Sequence, residues 1–431
     1  MSARRRRSEV TDFREPLPPG GTHNNLKIAV IGAGATGAIT ALELHKAGYT
    51  VTLIDAGAPG NGSSSRSAAC FRQQFGTPST VRGLVYAGRY YKNWQDEVGG
   101  ATSPLVESGY LFLKDWSANF RALSDLVTMQ QKAGLDNVKL YCVHDIEQHF
   151  HYVQTVGLKG ATWCPTDGFL IHDLVYKDAI DNLRKRGARI ILHNGVKDAT
   201  SHEDGQITSL ILEDNTTIDV DFVVNATNAW ASKLSEMLGG IPLPIVARKR
   251  YLYHVKVNGT PGDFMNFPMV ITPTGAYIRP TPDRGLMMGW IHHTEGQKTT
   301  PGFHQQDDIE TGFDHHQHRS YGYAVRTEIE RWIPDVEKLE RLHAATSGFY
   351  ADTPDHNPII DFDPQVKNLL HAAGFSGHGL MHAPFSARIV LELVQARRRL
   401  NEITLPQRIG TVDISTYHVD RKFTSAEGMV I

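Results

Sequence analysis

Gly32, Gly34 and Gly37 fall in the spacing GxGxxG, and Asp55 follows 18 residues after the last of them. That set has the chemistry of a dinucleotide site. Gly32 makes a tight turn and Gly34 lets backbone approach a pyrophosphate. Gly37 lets a helix close on a strand, so that its first N–H groups face the phosphates. Asp55 is placed to accept hydrogen bonds from ribose hydroxyls. A second glycine cluster lies in "NLLHAAGFSGHGLMHAPFSARIVLELV", starting at Asn368. It puts bare backbone and two histidines between a strand-like run and a helix-like run.

The flanking elements fit these tasks. Lys27–Ile31 is a continuous apolar run, as in a buried parallel strand. Thr36–Ala47 has helical spacing with Gly48 as its stop, and Val51–Ile54 is a second apolar strand. A lone GxGxxG is weak evidence, because a plain βαβ turn can carry one; strand, glycines, helix, strand and acid in order are stronger. The next stretch, "APGNGSSSRSAACFRQQFGTP", is rich in small hydroxyl residues and contains Arg72. A simple NAD domain runs straight into another helix and strand, whereas this loop can lie beside a longer cofactor, which favours FAD.

Further along, "DLVYKDAIDNLRKRGARIILHNGVKDA" reads as helix, Gly187 and strand, and "VDFVVNATNAWASKL" as a buried strand entering a turn and helix. "YLYHVKV", "MVITPTGAYIRPTP" and "RGLMMGWIHH" read as antiparallel strands of a second sheet. The pattern predicts a mixed α/β chain. A Rossmann-like cofactor domain occupies 26–104, 162–246 and 345–431. An interleaved substrate domain on an antiparallel sheet occupies 105–161 and 247–344.

A formal net charge of −2 gives no reason to expect nucleic acid or an anionic membrane as partner. No apolar run reaches the length of a membrane span. The first 25 residues hold four consecutive arginines but also Glu9, Asp12 and Glu15, and read as a mobile polar tail rather than a targeting signal. Cys70, Cys142 and Cys164 form no CxxC pair, which fits a reducing cytoplasm better than a disulfide framework; a mitochondrial matrix is the alternative. "DHHQHRS" (Asp314–Ser320) offers no fixed tetrahedral ligand set and reads as a solvated loop, so no metal is expected.

Together "IGAGATG", "SSSRSAACFRQQF", "DGFLIHDLV", "VVNATNAWA", "GFYADTPDHNPIID" and "AAGFSGHGLMHAP" resemble the FAD-dependent D-amino-acid oxidase/sarcosine oxidase (DAO-type) superfamily. The resemblance is nearest to the sarcosine oxidase β-subunit and proline dehydrogenase β-subunit type, and mitochondrial assembly flavoproteins share the "RQQF" signature. It implies a bound, non-covalent FAD. Cofactor contacts are implied at Gly32, Gly34, Ala35, Thr36, Gly37, Asp55 and Ala56, and at Ser64, Ser65, Arg66 and Ser67. Val196 matches a backbone contact to adenine. Ala226, Thr227 and Trp230 are also implied, as are Gly374, Ser376, Gly377, His378, Gly379 and Met381. The late glycine loop is expected to return to the flavin, and His378 to act beside it.

Such enzymes oxidise a C–N bond of an amino acid or secondary amine, sending hydride to flavin N5 and giving an imine. Arg72 matches the carboxylate anchor, since a guanidinium clasps a carboxylate bidentately. Arg279 is a second cation, and Tyr277, Tyr350 and Met381 complete the implied substrate wall. Met381 and Met287 stand where sarcosine oxidases carry lysines, for carboxylate binding and oxygen activation respectively. Tyr350 stands where D-amino-acid and glycine oxidases carry an arginine. The flavin-linking cysteine is absent around "SGFYADTPD", although Cys70 lies in the flavin loop. Two alternatives remain at this level: a primary amino-acid oxidase, or a flavoprotein whose task is assembly of a larger complex. The electron acceptor is oxygen, a quinone or a partner subunit.

Overall fold

A computed structural model describes residues 26–256, 267–282, 285–290, 319–338 and 342–423. The polar tail at 1–25 and the histidine run at 314–318 lie outside these residues.

The first strand, β1 (Lys27–Ile31), is central to a six-stranded sheet. It pairs in parallel with β2 (Thr50–Ile54) on one side and Phe222–Asn225 on the other, with Val30 opposite Leu53 and Val224. Arg189–Ile191 extends the sheet beyond β2. Leu369–Ala373 continues it in parallel on the other side, and Ile359–Phe362 closes that edge antiparallel. Continuous apolar runs are what a sheet covered on both faces requires. Burying each Val or Ile stabilises the fold by about 1.5–3 kcal/mol.

The helix α1 (Ala35–Lys46) starts and ends one residue earlier than its spacing predicts. It carries three alanines and Gly37 and is buried almost all round, because the helices His172–Lys185 and Gly379–Ala396 both pack on it. Pro384 lies inside the latter helix and has no N–H for the Leu380 carbonyl. The Tyr91 hydroxyl donates to that carbonyl instead, at 2.6 Å, so the break is satisfied locally.

An eight-stranded sheet stands beside the first. Its order is Leu342–Asp352, Val246–Lys256, Gly285–Trp290, Ala276–Pro280, Met269–Ile271, Tyr110–Asp115, Leu158–Cys164 and Lys139–Cys142. Pairing is antiparallel except between Met269–Ile271 and Tyr110–Asp115, which run parallel. Local pattern does not reveal that exception, because it joins segments far apart in the chain. Strands Leu158–Cys164, Val246–Lys256 and Leu342–Asp352 cross the positions where the sequence pattern changes character, and all three belong to this sheet. One of its faces carries Tyr110, Phe112, Leu252, Met269, Ile271, Tyr277 and Met287 in a single apolar cluster. That face looks toward the cavities described next. Cys70–Phe71, Gly168–Leu170 and Leu105–Val106 form a separate three-stranded sheet, with Gly168–Leu170 in the middle. Among the described residues, no helix is long and apolar enough to cross a membrane.

Candidate active site

A cavity of about 630 Å³ opens where β1, α1 and the late helix meet the eight-stranded sheet. Its volume lies within the range typical of cofactor sites. Gly32 has φ of +109°, and a Cβ there would come within 2.6 Å of the Ala226 carbonyl oxygen. A Cβ at Gly34 would meet Ser64 Oγ at 2.9 Å, and one at Gly37 would lie 1.8 Å from the Gly32 oxygen. The cradle therefore exists only as bare backbone. Asp55 is braced by two amides: Ala33 N donates to Oδ2 at 2.6 Å and Gly57 N to Oδ1 at 2.7 Å. Its carboxylate keeps further acceptor sites for hydroxyls.

The lining includes Gly32, Gly34, Ala35, Thr36, Asp55, Ala56, Ser64, Arg66, Ser67, Val196, Ala226, Thr227 and Trp230. Gly377, Gly379, Tyr277 and Tyr350 complete the set shared with the sequence-predicted residues. Arg66 Nη1 donates to the Asn61 and Gly62 carbonyls and so clamps the serine-rich loop; Ser63 Oγ ties that loop to Phe349 O at 2.7 Å. Gly37, Ser65 and Gly374 stand behind the lining. Gly37 closes the β1–α1 turn, Ser65 N donates to Gly60 O, and Gly374 N donates to Asn228 Oδ1 at 3.2 Å.

A smaller chamber of about 40 Å³ adjoins the large cavity and shares Ser67, Ala68, Tyr277, Tyr350 and Gly377 with it. Gly377 has φ of +87°, and a Cβ there would strike the Tyr350 ring at 2.2 Å. The chamber brings Arg72, Met381, His378 and Ser376 together with Tyr110, Met269 and Cys70. Arg72 is the one charged side chain among the described residues that line it. The guanidinium is 3% exposed, stacks 3.8 Å over Phe75 and donates to the Gln74 carbonyl.

Burial sets the protonation of the neighbouring groups. It pushes the Tyr110, Tyr277 and Tyr350 phenols and the Cys70 thiol up, so they stay neutral. His378 is held well below its usual range by burial, and further by His382 and Arg72. His382 is pushed down to about 3, chiefly by burial. The two rings face each other, Nδ1 to Nδ1, at 3.2 Å, and His378 Nε2 donates to the His356 carbonyl at 3.0 Å. With Nε2 carrying the proton, His378 Nδ1 is an acceptor.

Arg279 lies elsewhere. It is buried behind the chamber, 4.5 Å over Phe169, with Nε donating to Ala68 O at 2.7 Å and Nη1 to Pro280 O at 2.6 Å. Met287 faces its strand neighbour Arg279 in register and packs in the apolar cluster behind Leu252 and Tyr277.

Three polar residues escaped sequence reasoning. Arg250 lines the large cavity with its guanidinium 5.5 Å from the Tyr350 ring. The run "RKR" in the middle of an otherwise apolar strand was the available signal. Asn228, at φ of +51°, holds the late loop through its Oδ1 and also lines the large cavity. Asp167 opens the motif "DGFLIHDLV", which showed no role for it; its carboxylate accepts from Gln73 and Gln74. Among the described residues, Asp361, His418 and Asp420 are close enough to share a cation, but Arg399 already bridges the two carboxylates.

The model of the family described as "FAD dependent oxidoreductase" (DAO) matches residues 27–393. FAD-dependent oxidoreductase domain-containing protein 1 of Xenopus laevis is 26% identical, covering 76% of this chain and 69% of that protein. Monomeric sarcosine oxidase of Bacillus sp. (strain B-0618) is 24% identical over 88% of this chain and 94% of its own. L-Proline dehydrogenase from P. horikoshii superposes with a TM-score of 0.76 at 26% identity, over 87% of this chain and 95% of that one.

Proposed function

The chain belongs to the DAO family of FAD-dependent oxidoreductases, which act on amino acids or amines, and from that premise we propose an enzyme that oxidises a secondary or N-alkyl amino acid. The carrying observation is Arg72, the charged group in the lining of an otherwise neutral chamber beside the large cavity. The glycine cradle and braced Asp55 fit the pyrophosphate and ribose of FAD. We assign the six-stranded sheet with its helices to cofactor binding and the eight-stranded sheet to substrate binding. When bound, FAD supplies the two-electron oxidation, accepting hydride from the carbon attached to nitrogen.

The chain's own residues do the rest. Arg72 neutralises and orients the substrate carboxylate; Met269, Met381 and the tyrosines exclude water around the carbon chain. Neutral His378 adds no positive charge beside the amine. Gly379 and Leu380 place the positive end of the late helix at the large cavity, where it favours negative charge. The imine product leaves for hydrolysis in water. Met287 in place of the oxygen-activating lysine supports electron transfer to an acceptor other than oxygen, such as a partner subunit. Three free thiols support a reducing compartment, and we favour the cytoplasm.

The test is anaerobic bleaching of the flavin by a panel of N-methyl, cyclic and primary amino acids. Bleaching by secondary amines ahead of primary ones is expected; protein that takes up no FAD sinks the whole reading. Acid precipitation is expected to leave the flavin in the supernatant, since burial keeps the Cys70 thiol protonated. Flavin fluorescence retained in the pellet would overturn the non-covalent assignment.

A further inference from the structure

Arg72 can serve as an anchor only if its guanidinium is held still. It follows the short strand Cys70–Phe71 and precedes Gln73 and Gln74. Both glutamines converge on the carboxylate of Asp167, which is fully buried. Gln73 donates to Oδ1 twice, from N at 2.8 Å and from Nε2 at 3.1 Å. Gln74 Nε2 donates to Oδ2 at 3.1 Å and to the Tyr110 carbonyl at 3.2 Å. The Gln74 carbonyl in turn accepts from Arg72 Nη1. Asp167 is itself fixed at the junction of the sheets, where its carbonyl accepts from Gly109 N at 2.8 Å. A carboxylate is an acceptor-only group with room for these donors, and no neutral side chain of that size matches it.

We propose that Asp167 is a positioning residue whose ionised carboxylate locks the Gln73–Gln74 turn and thereby aims Arg72 into the small chamber. This rests on the reading of Arg72 as the carboxylate anchor. Burial pushes the Asp167 carboxyl up to about 6, against the amide donors, which lower it. The ionisable groups around it are Cys164 and Tyr110, which burial keeps neutral. Asp167 is thus the group of this set that titrates near neutrality. On protonation it turns from acceptor to donor and confronts N–H groups. Gln74 Oε1 is buried without a hydrogen-bond partner. It can take the new proton only if the amide turns over, and that withdraws Nε2 from the Tyr110 carbonyl.

The experiment is calorimetric titration of the FAD-loaded protein with benzoate, a carboxylate probe, between pH 5 and pH 8. Wild type is expected to bind about tenfold more weakly at pH 5 than at pH 8, because one unit below its pKa about a tenth of the group is ionised. Asp167→Asn is expected to bind about tenfold more weakly at pH 8, with a flat profile and unchanged flavin content; Asp167→Glu restores part of the affinity. A flat wild-type profile overturns the proposal without any variant. So does an Asp167→Asn protein that binds like wild type, or one that loses its flavin. Arg72→Ala separates the two readings. Undiminished benzoate binding in that variant refutes the anchor itself, whereas lost binding beside an unaffected Asp167→Asn refutes positioning alone.

Discussion

The Arg72 guanidinium lies 3.8 Å from the centre of the Phe75 ring, three residues along the same loop. Stacking of a planar cation on a ring fixes its plane as well as its place. Arg72→Ala is expected to weaken carboxylate ligands by roughly 10- to 150-fold, about 1.5–3 kcal/mol, while FAD stays bound. Arg72→Lys keeps the charge but neither the stack nor the fork, and is expected to recover less than half of that free energy. Ligand titrations of both variants check this, and full recovery by lysine would refute the bidentate geometry.

Gly34 and Gly37 differ in what a methyl group would meet. At Gly34 the obstacle is the Ser64 hydroxymethyl, which can rotate away; at Gly37 it is the Gly32 carbonyl. Gly34→Ala is expected to fold and bind FAD less tightly. Gly37→Ala is expected to lower the melting temperature of the apoprotein by several degrees, a cost of at least 1–3 kcal/mol for overpacking. Thermal melts with and without FAD distinguish the two, and equal apoprotein melting points would contradict the geometry.

Asp167 makes a separate prediction about stability. Its folded-state pKa, near 6, is raised above the ordinary 3.8. Between those values the native state holds a proton that the unfolded chain has lost, so stability falls as pH rises through that window. Asp167→Asn removes the effect. The stability of the variant relative to wild type is expected to grow by about 2.4 kcal/mol from pH 4 to pH 7. Denaturant unfolding at several pH values measures it, and a constant difference rules it out.

Met287 lies on the cavity-facing side of the eight-stranded sheet, directly opposite Arg279 in register. Met287→Lys is expected to speed reoxidation of the reduced protein by air, because positive charge near the large cavity favours superoxide formation. Wild type is expected to prefer an artificial acceptor. Stopped-flow reoxidation reports both rates; wild-type reoxidation as fast as that of an efficient oxidase would overturn the preference.

The β1–α1–β2 unit was legible because strand, turn and helix signals there are local and agree with one another. The late glycine loop was legible as bare backbone, and what Gly377 meets in the fold is the Tyr350 ring, which no local pattern indicates. The chamber around Arg72 was only half legible. Tyr110 and Met269 reach it through the parallel pairing of Tyr110–Asp115 with Met269–Ile271, a contact that no local period encodes. Asp167 opens a motif legible in the sequence, but its own contacts are with two glutamine amides more than 90 residues earlier, which no local pattern shows. Arg279 read as a substrate cation from its strand position alone, and its guanidinium is engaged by the Ala68 and Pro280 carbonyls.

More than 300 residues separate the first glycine turn from the loop at Gly374–Gly379 that completes the cavity, and the strand Leu369–Ala373 joins the sheet two places from β1, beside Phe222–Asn225. During synthesis at roughly 5–20 residues per second, about 15–60 s pass between the appearance of the two segments. The nascent chain meanwhile carries a dinucleotide turn with no wall opposite it and an unpaired edge on Phe222–Asn225. The complete cofactor cavity is therefore expected to form only late in synthesis, once the segment around Gly374–Gly379 has followed the first glycine turn.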